Sequence, residues 1–212
     1  MHGLFISFEG GEGVGKSTQI ARLADRLRGH GHEVIVTLEP GGTPLGTELR
    51  RLVLNPDGHV TPRAEALLYA ADRAHHVDTV IEPALAAGKV VITDRYADSS
   101  LAYQGVGRAL DPQQMRELCE FAVGGRWPEV TILLDVDPIV GLRRARGDGA
   151  GDRIEAEGLE FHKAVRAAFL DLAGQDPDRF VVVDASGSLD EVAQRVRVAV
   201  DRHLESLPGA TR

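Results

Sequence analysis

The chain has 212 residues, of which 43% are hydrophobic and 26% are charged, so its composition is that of a folded globular protein. Its length suits one domain with a substantial core better than two independent domains. The 24 Lys and Arg residues against 32 Asp and Glu residues give a formal net charge of −8, which argues against a broad surface for nucleic acid or for an anionic membrane. Any anion site is therefore expected to be local.

The cysteine content and the N-terminal residues indicate the cellular compartment. The single Cys119 excludes an internal disulfide and a cysteine-based zinc site, and we expect a buried structural thiol on a helix. Residues 1–9 have no basic stretch, and no run in the sequence approaches the roughly 18 apolar residues of a membrane span. We therefore expect a cytoplasmic protein that is neither exported nor inserted in a membrane.

Five short apolar runs rich in β-branched residues are predicted to be strands, and segments of helical period lie between them. Near-continuous apolar strands separated by helices indicate a parallel sheet that is covered on both faces. We therefore predict an α/β fold, a three-layer sandwich with a five-stranded parallel sheet, in one domain over residues 1–212. The predicted strands are residues 4–8, 34–38, 90–93, 130–136 and 180–183, and the clearest helices are residues 17–28, 64–87 and 190–207.

A glycine-rich segment directly follows the first predicted strand and opens a helix. It matches the G-x-x-x-x-G-K-[ST] pattern of phosphate-binding loops, in which backbone N–H groups and the helix N-terminus bind phosphate. Lys16 would reach toward the transferred phosphate, and the Ser17 hydroxyl would ligate Mg²⁺. A glycine-rich turn before an amphipathic helix is the alternative, but the order of strand, loop and helix favours a nucleoside triphosphate site. The residues of this P-loop are Gly10, Gly11, Glu12, Gly13, Val14, Gly15, Lys16, Ser17 and Thr18.

Two charged residues end the third predicted strand, at the edge where open parallel sheets bind ligands. Asp94 could hold a metal ion or its water, and Arg95 could bind an acceptor phosphate. An ordinary surface pair of Asp and Arg is the alternative.

The segment 147–152 contains three Gly and two Asp and is flanked by arginines. It is either a disordered surface loop or a lid that closes over a ligand.

The sequence lacks features of two other classes of triphosphate-binding protein, the GTPase switches and the motor proteins. No Asn-Lys-x-Asp segment for guanine recognition is present, and the chain is short for a motor protein. Several isolated arginines near the strand ends favour phosphate transfer between two phosphorylated molecules, since both polyanions must be neutralised and aligned.

Four segments in the same order resemble the thymidylate kinases, a family of nucleoside monophosphate kinases that phosphorylate dTMP. The resemblance covers nearly the whole chain, and its most specific part is the third segment. The segments are the P-loop in residues 8–18, Glu39-Pro40-Gly41-Gly42-Thr43-Pro44, Asp94-Arg95-Tyr96 with residues 99–105, and Asp152-Arg153-Ile154-Glu155.

The resemblance implies roles for residues of an acceptor site. Arg95 and Arg50 would bind the dTMP phosphate, Tyr69 would stack on thymine, and Arg73, one helical turn later, would hydrogen-bond the base edge. Tyr103 would crowd the 2′ position and so favour deoxyribose. The remaining residues expected to line the acceptor site are Glu39, Pro40, Ser99, Ser100 and Gln104.

The resemblance also implies a lid around residues 143–155 from which Arg153 would move onto the transferring phosphoryl group. Glu12 occupies the P-loop position where other members carry a cation, which fits the bacterial type with a lid arginine. Arg144 and Arg146 are both plausible adenine contacts. Leu38 and Asp148 depart from the family pattern, which expects arginine at both positions.

The implied activity is the transfer of the ATP γ-phosphate to dTMP, giving dTDP and ADP in dTTP biosynthesis. Lys16, Arg95, Arg153 and Glu12 would form the catalytic set, with Mg²⁺ at Ser17 and Asp94, and the protein would be a homodimer with no nucleic-acid or membrane partner. A kinase for another monophosphate or a deoxynucleoside, and a non-catalytic nucleotide-binding protein, are the alternatives.

Overall fold

The structure is a computed structural model that describes residues 3–146 and 152–206, without the side chains of residue 146 and residues 203–206. Five parallel strands form a sheet in the order β2-β3-β1-β4-β5, with helices on both faces. This arrangement confirms the predicted fold class, and each strand starts where predicted and ends within one residue of the predicted end. The strands are β1 (Leu4–Glu9), β2 (Val34–Leu38), β3 (Val90–Asp94), β4 (Val130–Asp135) and β5 (Phe180–Asp184).

Nine α-helices connect or flank the strands in the described part of the chain. At the N-terminus of α2, the Thr43 hydroxyl accepts a hydrogen bond from the Gly46 N–H at 2.9 Å. The helices are α1 (Lys16–Gly29), α2 (Pro44–Leu54), α3 (Pro62–His76), α4 (Glu82–Ala86), α5 (Ala97–Ser100), α6 (Pro112–Val123), α7 (Pro138–Arg146), α8 (Leu159–Gln175) and α9 (Leu189–Ser206).

The prediction of one continuous helix over residues 64–87 is wrong in detail. The helical segment starts at Pro62 and contains a π-helical stretch, Val77–Ile81, before α4 begins. Pro83 has no backbone N–H and its ring crowds the preceding turn, so a regular i to i−4 ladder cannot continue through this point. A second π-helical stretch, Leu101–Gly107, follows α5. Residue 207, the predicted end of the last helix, lies outside the described residues.

The three central strands β3, β1 and β4 are buried on both faces, which explains why they read as continuous apolar runs, whereas the edge strands β2 and β5 are partly exposed. In β1, Ile6 and Phe8 pack in the cluster beneath α1 and α9, whereas Phe5 packs in the cluster on the opposite face. Cys119 of α6 is a buried free thiol, as predicted. Within the described ranges, no helix is long and apolar enough to cross a membrane.

The parallel register brings the motifs to one edge of the sheet. Asp94 at the end of β3 is aligned with Phe8 of β1 on one side and with Leu38 of β2 on the other. The P-loop, the loop after β2 and the residues after β3 therefore leave the sheet at the same level. β1 lies between β3 and β4, so the strand order reverses its direction at β1. This edge is therefore a topological switch point, where α/β proteins bind ligands.

Candidate active site

A cavity of about 500 Å³ opens at this edge of the sheet. Gly10 and Gly11 lie behind it rather than in its lining, Arg153 is docked elsewhere, and the Arg146 side chain lies outside the described residues. The other predicted site residues all line it. They are Glu12, Gly13, Val14, Gly15, Lys16, Ser17, Thr18, Glu39, Pro40, Arg50, Tyr69, Arg73, Asp94, Arg95, Ser99, Ser100, Tyr103, Gln104 and Arg144.

Lys16 lies at the start of α1 and points back over the P-loop. Its Nζ donates to the Gly11 carbonyl at 3.0 Å and, more weakly, to the Gly10 carbonyl at 3.4 Å. Burial lowers the pKa of the Lys16 ammonium, and the nearby Arg95 lowers it further. Since a phosphate group would provide the opposite charge, this ammonium is placed to gain from binding a triphosphate.

Ser17 and Asp94 form the part of the cavity that could hold Mg²⁺. The Ser17 hydroxyl donates to Asp94 Oδ2 at 3.1 Å, and both groups supply the oxygen ligands that Mg²⁺ prefers. Among the described residues, no group of three or more His, Cys, Asp or Glu side chains is arranged to hold a metal ion. The two groups therefore fit a Mg²⁺ that takes its other ligands from phosphate oxygens and water.

Arg95 is held in an unusual backbone conformation at the centre of the cavity. Its φ is 70°, in the left-handed region that non-glycine residues avoid. The guanidinium donates to Glu12 Oε1 at 2.6 Å and to the Gly10 carbonyl at 3.0 Å, and it lies over the Tyr103 ring at 4.8 Å. These contacts fix the direction of the guanidinium.

Glu12 is a P-loop carboxylate that serves as a partner for this cation. Besides Arg95, it accepts a hydrogen bond from the Tyr103 hydroxyl at 2.8 Å. Burial on its own raises the pKa of Glu12, but the positive charges of Arg95 and Lys16 outweigh that effect and hold the pKa at about 2. Glu12 is therefore ionised at neutral pH.

Arg73 forms the far wall of the cavity with its side chain only 2% exposed. Its Nε donates to Glu39 Oε2 at 2.8 Å, its Nη1 to Ser100 Oγ at 3.1 Å and its Nη2 to the Tyr96 carbonyl at 3.0 Å. Tyr69, one turn earlier on α3, lines the same wall. A planar ring and a fixed guanidinium thus lie side by side, which suits stacking on a base and hydrogen bonding to its edge.

Arg50 approaches the cavity from α2. Its Nη1 donates to the Pro40 carbonyl at 2.9 Å, so the loop after β2 sets the position of the guanidinium. Leu38, which precedes this loop, lines the cavity where the family pattern expects arginine. The Arg50 and Arg95 guanidiniums thus both line the cavity, where either could bind a phosphate.

Arg153 does not reach the cavity in this structure. Its Nε donates to the Val53 carbonyl at 2.9 Å, and its guanidinium pairs with the buried carboxylate of Glu65. The neighbouring Asp152 and Glu155 line the cavity instead. Residues 147–151 of the predicted lid, including Asp148, lie outside the described residues.

Arg144 lines the cavity from α7. It is exposed, and its Nη1 donates to the Ala185 carbonyl at 3.2 Å. The helix that carries it approaches the P-loop backbone directly, since a Cβ at Gly13 would lie 2.0 Å from the Gly141 carbonyl oxygen and one at Gly141 would lie 2.3 Å from the Glu12 carbonyl oxygen. Glycine is therefore required at both positions.

Buried ionisable residues behind the cavity were not predicted. Glu9 is fully buried and accepts hydrogen bonds from the Tyr96 N–H at 2.8 Å and the Ser99 hydroxyl at 2.6 Å. Burial, with the negative charge of Asp98 nearby, raises the pKa of Glu9 to about 8. An acidic residue at the end of an apolar strand, directly before the P-loop, is the signal that could have identified it.

Two further residues, Glu65 and His76 of α3, contact residues that line the cavity or flank it. Glu65 accepts from Gln104 Nε2 at 2.9 Å as well as from Arg153. His76 contacts Glu39. Extending the helical spacing from Tyr69 through Arg73 would have found His76, since residues at i, i+4 and i+7 share a face.

The chain is similar to known proteins over nearly all its length. The family model described as Thymidylate kinase matches residues 8–196. The thymidylate kinase of Clavibacter michiganensis subsp. michiganensis (strain NCPPB 382) is 56% identical over 200 residues, which cover 93% of this chain and 94% of the relative. The thymidylate kinase of Deinococcus radiodurans is 52% identical over 198 residues, which cover 93% of this chain and 96% of the relative.

The fold is shared as well. The crystal structure of thymidylate kinase from Ehrlichia chaffeensis superposes with a TM-score of 0.79 at 30% identity, and the match covers 94% of this chain and all of that one. The family model, the sequence identity to these relatives and the structural likeness all identify the same family. The chain belongs to the thymidylate kinase family.

Proposed function

We propose that this chain transfers the γ-phosphate of ATP to dTMP, giving dTDP and ADP, with Mg²⁺ bound at the transfer point. Membership of the thymidylate kinase family makes it a kinase that acts on dTMP with ATP. The observation that carries the mechanism is the position of two cations. Lys16, from the triphosphate side, and Arg95, from the acceptor side, both donate to the Gly10 carbonyl oxygen. The phosphate groups that they bind would therefore meet at this point.

The protein's contribution to transfer is alignment and neutralisation of charge, and no covalent intermediate is needed. Arg95 is held by Glu12, so its guanidinium would meet the acceptor phosphate without having to reorganise. Lys16 would exchange its hydrogen bonds to P-loop carbonyls for bonds to the triphosphate. When bound at Ser17 and Asp94, Mg²⁺ would supply further neutralisation of phosphate charge.

Selection of the acceptor would come from the wall opposite the P-loop. Tyr69 would stack on thymine, and Arg73 would donate to the base edge with an N–H that its protein partners leave free. Arg50 would share the monophosphate with Arg95. Tyr103 is held between Glu12 and the Arg95 guanidinium, and its fixed ring would crowd a 2′-hydroxyl and so favour deoxyribose.

The role of Arg153 in transfer requires that it leave Glu65. In the described structure the pair with Glu65 holds Arg153 against α2 and α3. Binding of ATP would supply a competing anion, and Arg153 would then move with the lid onto the transferring phosphoryl group. Arg144 would contact the adenine side of ATP.

The acceptor is tested with a panel of phosphate acceptors. ADP formation from ATP and Mg²⁺ is measured with dTMP, dUMP, dCMP, dAMP, dGMP and thymidine, and we expect dTMP to give the highest kcat/KM. A clear preference for another acceptor would contradict the proposed substrate. Binding of ATP without transfer to any acceptor would instead support a non-catalytic nucleotide-binding protein.

We also place the protein in the cytoplasm as a homodimer. The buried free thiol of Cys119 fits a reducing compartment. Helices α3 and α6 pack against each other, and each exposes a large apolar side chain, with Leu67 53% and Phe121 85% exposed. The homodimer would bury these side chains.

The oligomeric state is measured by light scattering after size-exclusion chromatography. We expect a dimer for the natural chain and a shift toward monomer for Phe121→Glu. Val198→Glu, at an exposed apolar position of α9, is the matched control and should remain dimeric. A monomeric natural chain would contradict the proposed dimer.

A further inference from the structure

A chain of buried hydrogen bonds runs behind the acceptor wall, with His76 at its centre. The His76 Nδ1 lies 2.8 Å from Glu39 Oε1, and its Nε2 lies 2.7 Å from Thr37 Oγ1. The side chains of His76 and Glu39 are 0% and 2% exposed. The other carboxylate oxygen of Glu39 accepts from Arg73 Nε at 2.8 Å. Three hydrogen bonds therefore connect a strand residue to the guanidinium that lines the cavity.

This arrangement fixes both oxygens of the Glu39 carboxylate. One oxygen is held by the imidazole of His76 and the other by Arg73, so the carboxylate has no free rotation. A guanidinium has five N–H donors, and Arg73 uses three on Glu39, Ser100 and the Tyr96 carbonyl. The direction of the N–H groups left for a ligand therefore depends on Glu39, which in turn depends on His76.

His76 also lies under the loop that follows β2. A Cβ on Gly42 would lie 2.6 Å from both His76 Nε2 and Thr37 Oγ1, so the loop backbone rests directly on this pair. The same loop presents the Pro40 carbonyl to Arg50. The imidazole thus supports the loop that sets Arg50 as well as the carboxylate that orients Arg73.

From this geometry we propose that His76 is a positioning residue of the acceptor site, which holds Glu39 and thereby orients Arg73 toward the acceptor base. His76 does not touch the substrate. Because a carboxylate only accepts hydrogen bonds, the Nδ1–H of His76 is the donor to Glu39. The inference rests on the proposed function, because it takes dTMP as the acceptor.

Two substitutions separate positioning from packing. In His76→Leu the volume is nearly kept but the donor to Glu39 is lost, whereas in His76→Asn the amide nitrogen can replace Nδ1 as that donor. We expect KM for dTMP to rise about tenfold or more in His76→Leu, the loss expected when a hydrogen bond to a charged group is removed. KM for ATP and kcat should change by less than about threefold. His76→Asn should restore most of the affinity for dTMP.

The adjacent His75 supplies a matched control, since it is on the same helix but faces another direction. His75→Leu should leave both KM values unchanged. A His76→Leu protein with a lowered melting temperature but an unchanged KM for dTMP would overturn the proposal in favour of a packing role. Equal KM values for His76→Asn and His76→Leu would overturn it too, because they would show that the donor to Glu39 does not matter.

Should His76→Leu fail to fold, Thr37→Val tests the same chain by removing the hydroxyl that fixes the imidazole. We expect a smaller rise in KM for dTMP, and an unchanged KM would overturn the proposal. The natural chain is measured in parallel with dTMP and ATP. If it does not phosphorylate dTMP, the proposed function fails; if it does and the His76 variants are normal, only this inference fails.

Discussion

Arg73 and Arg144 line the same cavity but are held in different ways. Arg73 is almost fully buried and donates to three protein acceptors, whereas Arg144 is exposed and donates to one carbonyl. Arg95 repeats the first pattern, since it is fixed by Glu12 and stacked on Tyr103. On the donor side, backbone groups of the P-loop provide most of the surface for phosphate.

In the proposed function, the buried cations would select the phosphate acceptor, whereas the P-loop would bind the phosphates of ATP. Cations that are held by protein groups but keep N–H donors for a ligand would give a rigid acceptor wall, which could discriminate between bases because a wrong base would leave buried polar groups unpaired. The P-loop would bind the phosphates of ATP through its main-chain N–H groups. Substitutions on the two sides should therefore have different kinetic signatures.

The largest effect is expected where the two halves meet, at Lys16. Lys16→Ala removes a cation that would contact charge developing in the transition state, so we expect dTMP-dependent ADP formation to fall between about 10² and 10³-fold in kcat. Lys163→Ala, an exposed lysine on α8, should leave the rate unchanged. Turnover close to that of the natural chain in Lys16→Ala would show that transfer does not occur at the P-loop.

On the acceptor side, Arg73→Lys keeps the charge but loses the planar fork that contacts Glu39, Ser100 and Tyr96. We expect KM for dTMP to rise about 10- to 100-fold while KM for ATP stays the same. Steady-state kinetics with each substrate varied in turn measures both values. An equal rise for ATP would contradict the division of the cavity into two halves.

On the donor side, Arg144→Ala should have a small effect because the side chain is exposed. We expect KM for ATP to rise by about fivefold or less, with KM for dTMP unchanged. Arg143→Ala, at an exposed position of the same helix, is the control. A large rise in KM for dTMP would show that Arg144 serves the acceptor.

Stability, rather than kinetics, is the property that Glu9 should affect. Because the pKa of Glu9 is raised from 4.5 to about 8, the folded state holds a proton that the unfolded state releases. The stabilisation is complete below the unfolded pKa and is lost as pH rises toward the folded pKa. This group should therefore lower the free energy of unfolding by at most about 1.4 kcal/mol per pH unit in that window.

Glu9→Gln should flatten that part of the pH profile, measured by urea unfolding at several pH values. Glu160→Gln, at an exposed position of α8, should leave the profile unchanged. A profile for Glu9→Gln as steep as that of the natural chain would show that Glu9 does not hold the proton.

The fold was predictable because its central strands are buried on both faces and all five strands appear as separate apolar runs. The π-helical stretch at Val77–Ile81 was not predictable, because an amphipathic pattern indicates which face of a helix is buried but not how many residues each turn contains. At the site, glycine spacing identified the P-loop. The contacts of Glu39 with Arg73 and His76 join residues more than thirty positions apart, and no local pattern predicts such a pairing.

Arg153 shows what a family resemblance does not predict about a residue. The resemblance indicates the residue but not its state, and here its guanidinium is paired with Glu65. Which anion it binds depends on competition between a buried carboxylate and a substrate phosphate, which is a property of the bound complex. The role of Arg153 in transfer therefore stays a prediction.

The contact between Gly13 and Gly141 has a consequence for how the donor half is assembled. Two main chains touch there with no side chain between them, so the spacing between the P-loop and α7 is set by van der Waals radii alone. Arg144 follows Gly141 by three residues, less than one helical turn. The backbone position of Arg144 is therefore fixed relative to the P-loop. Only its side chain is free to adapt to a bound nucleotide base.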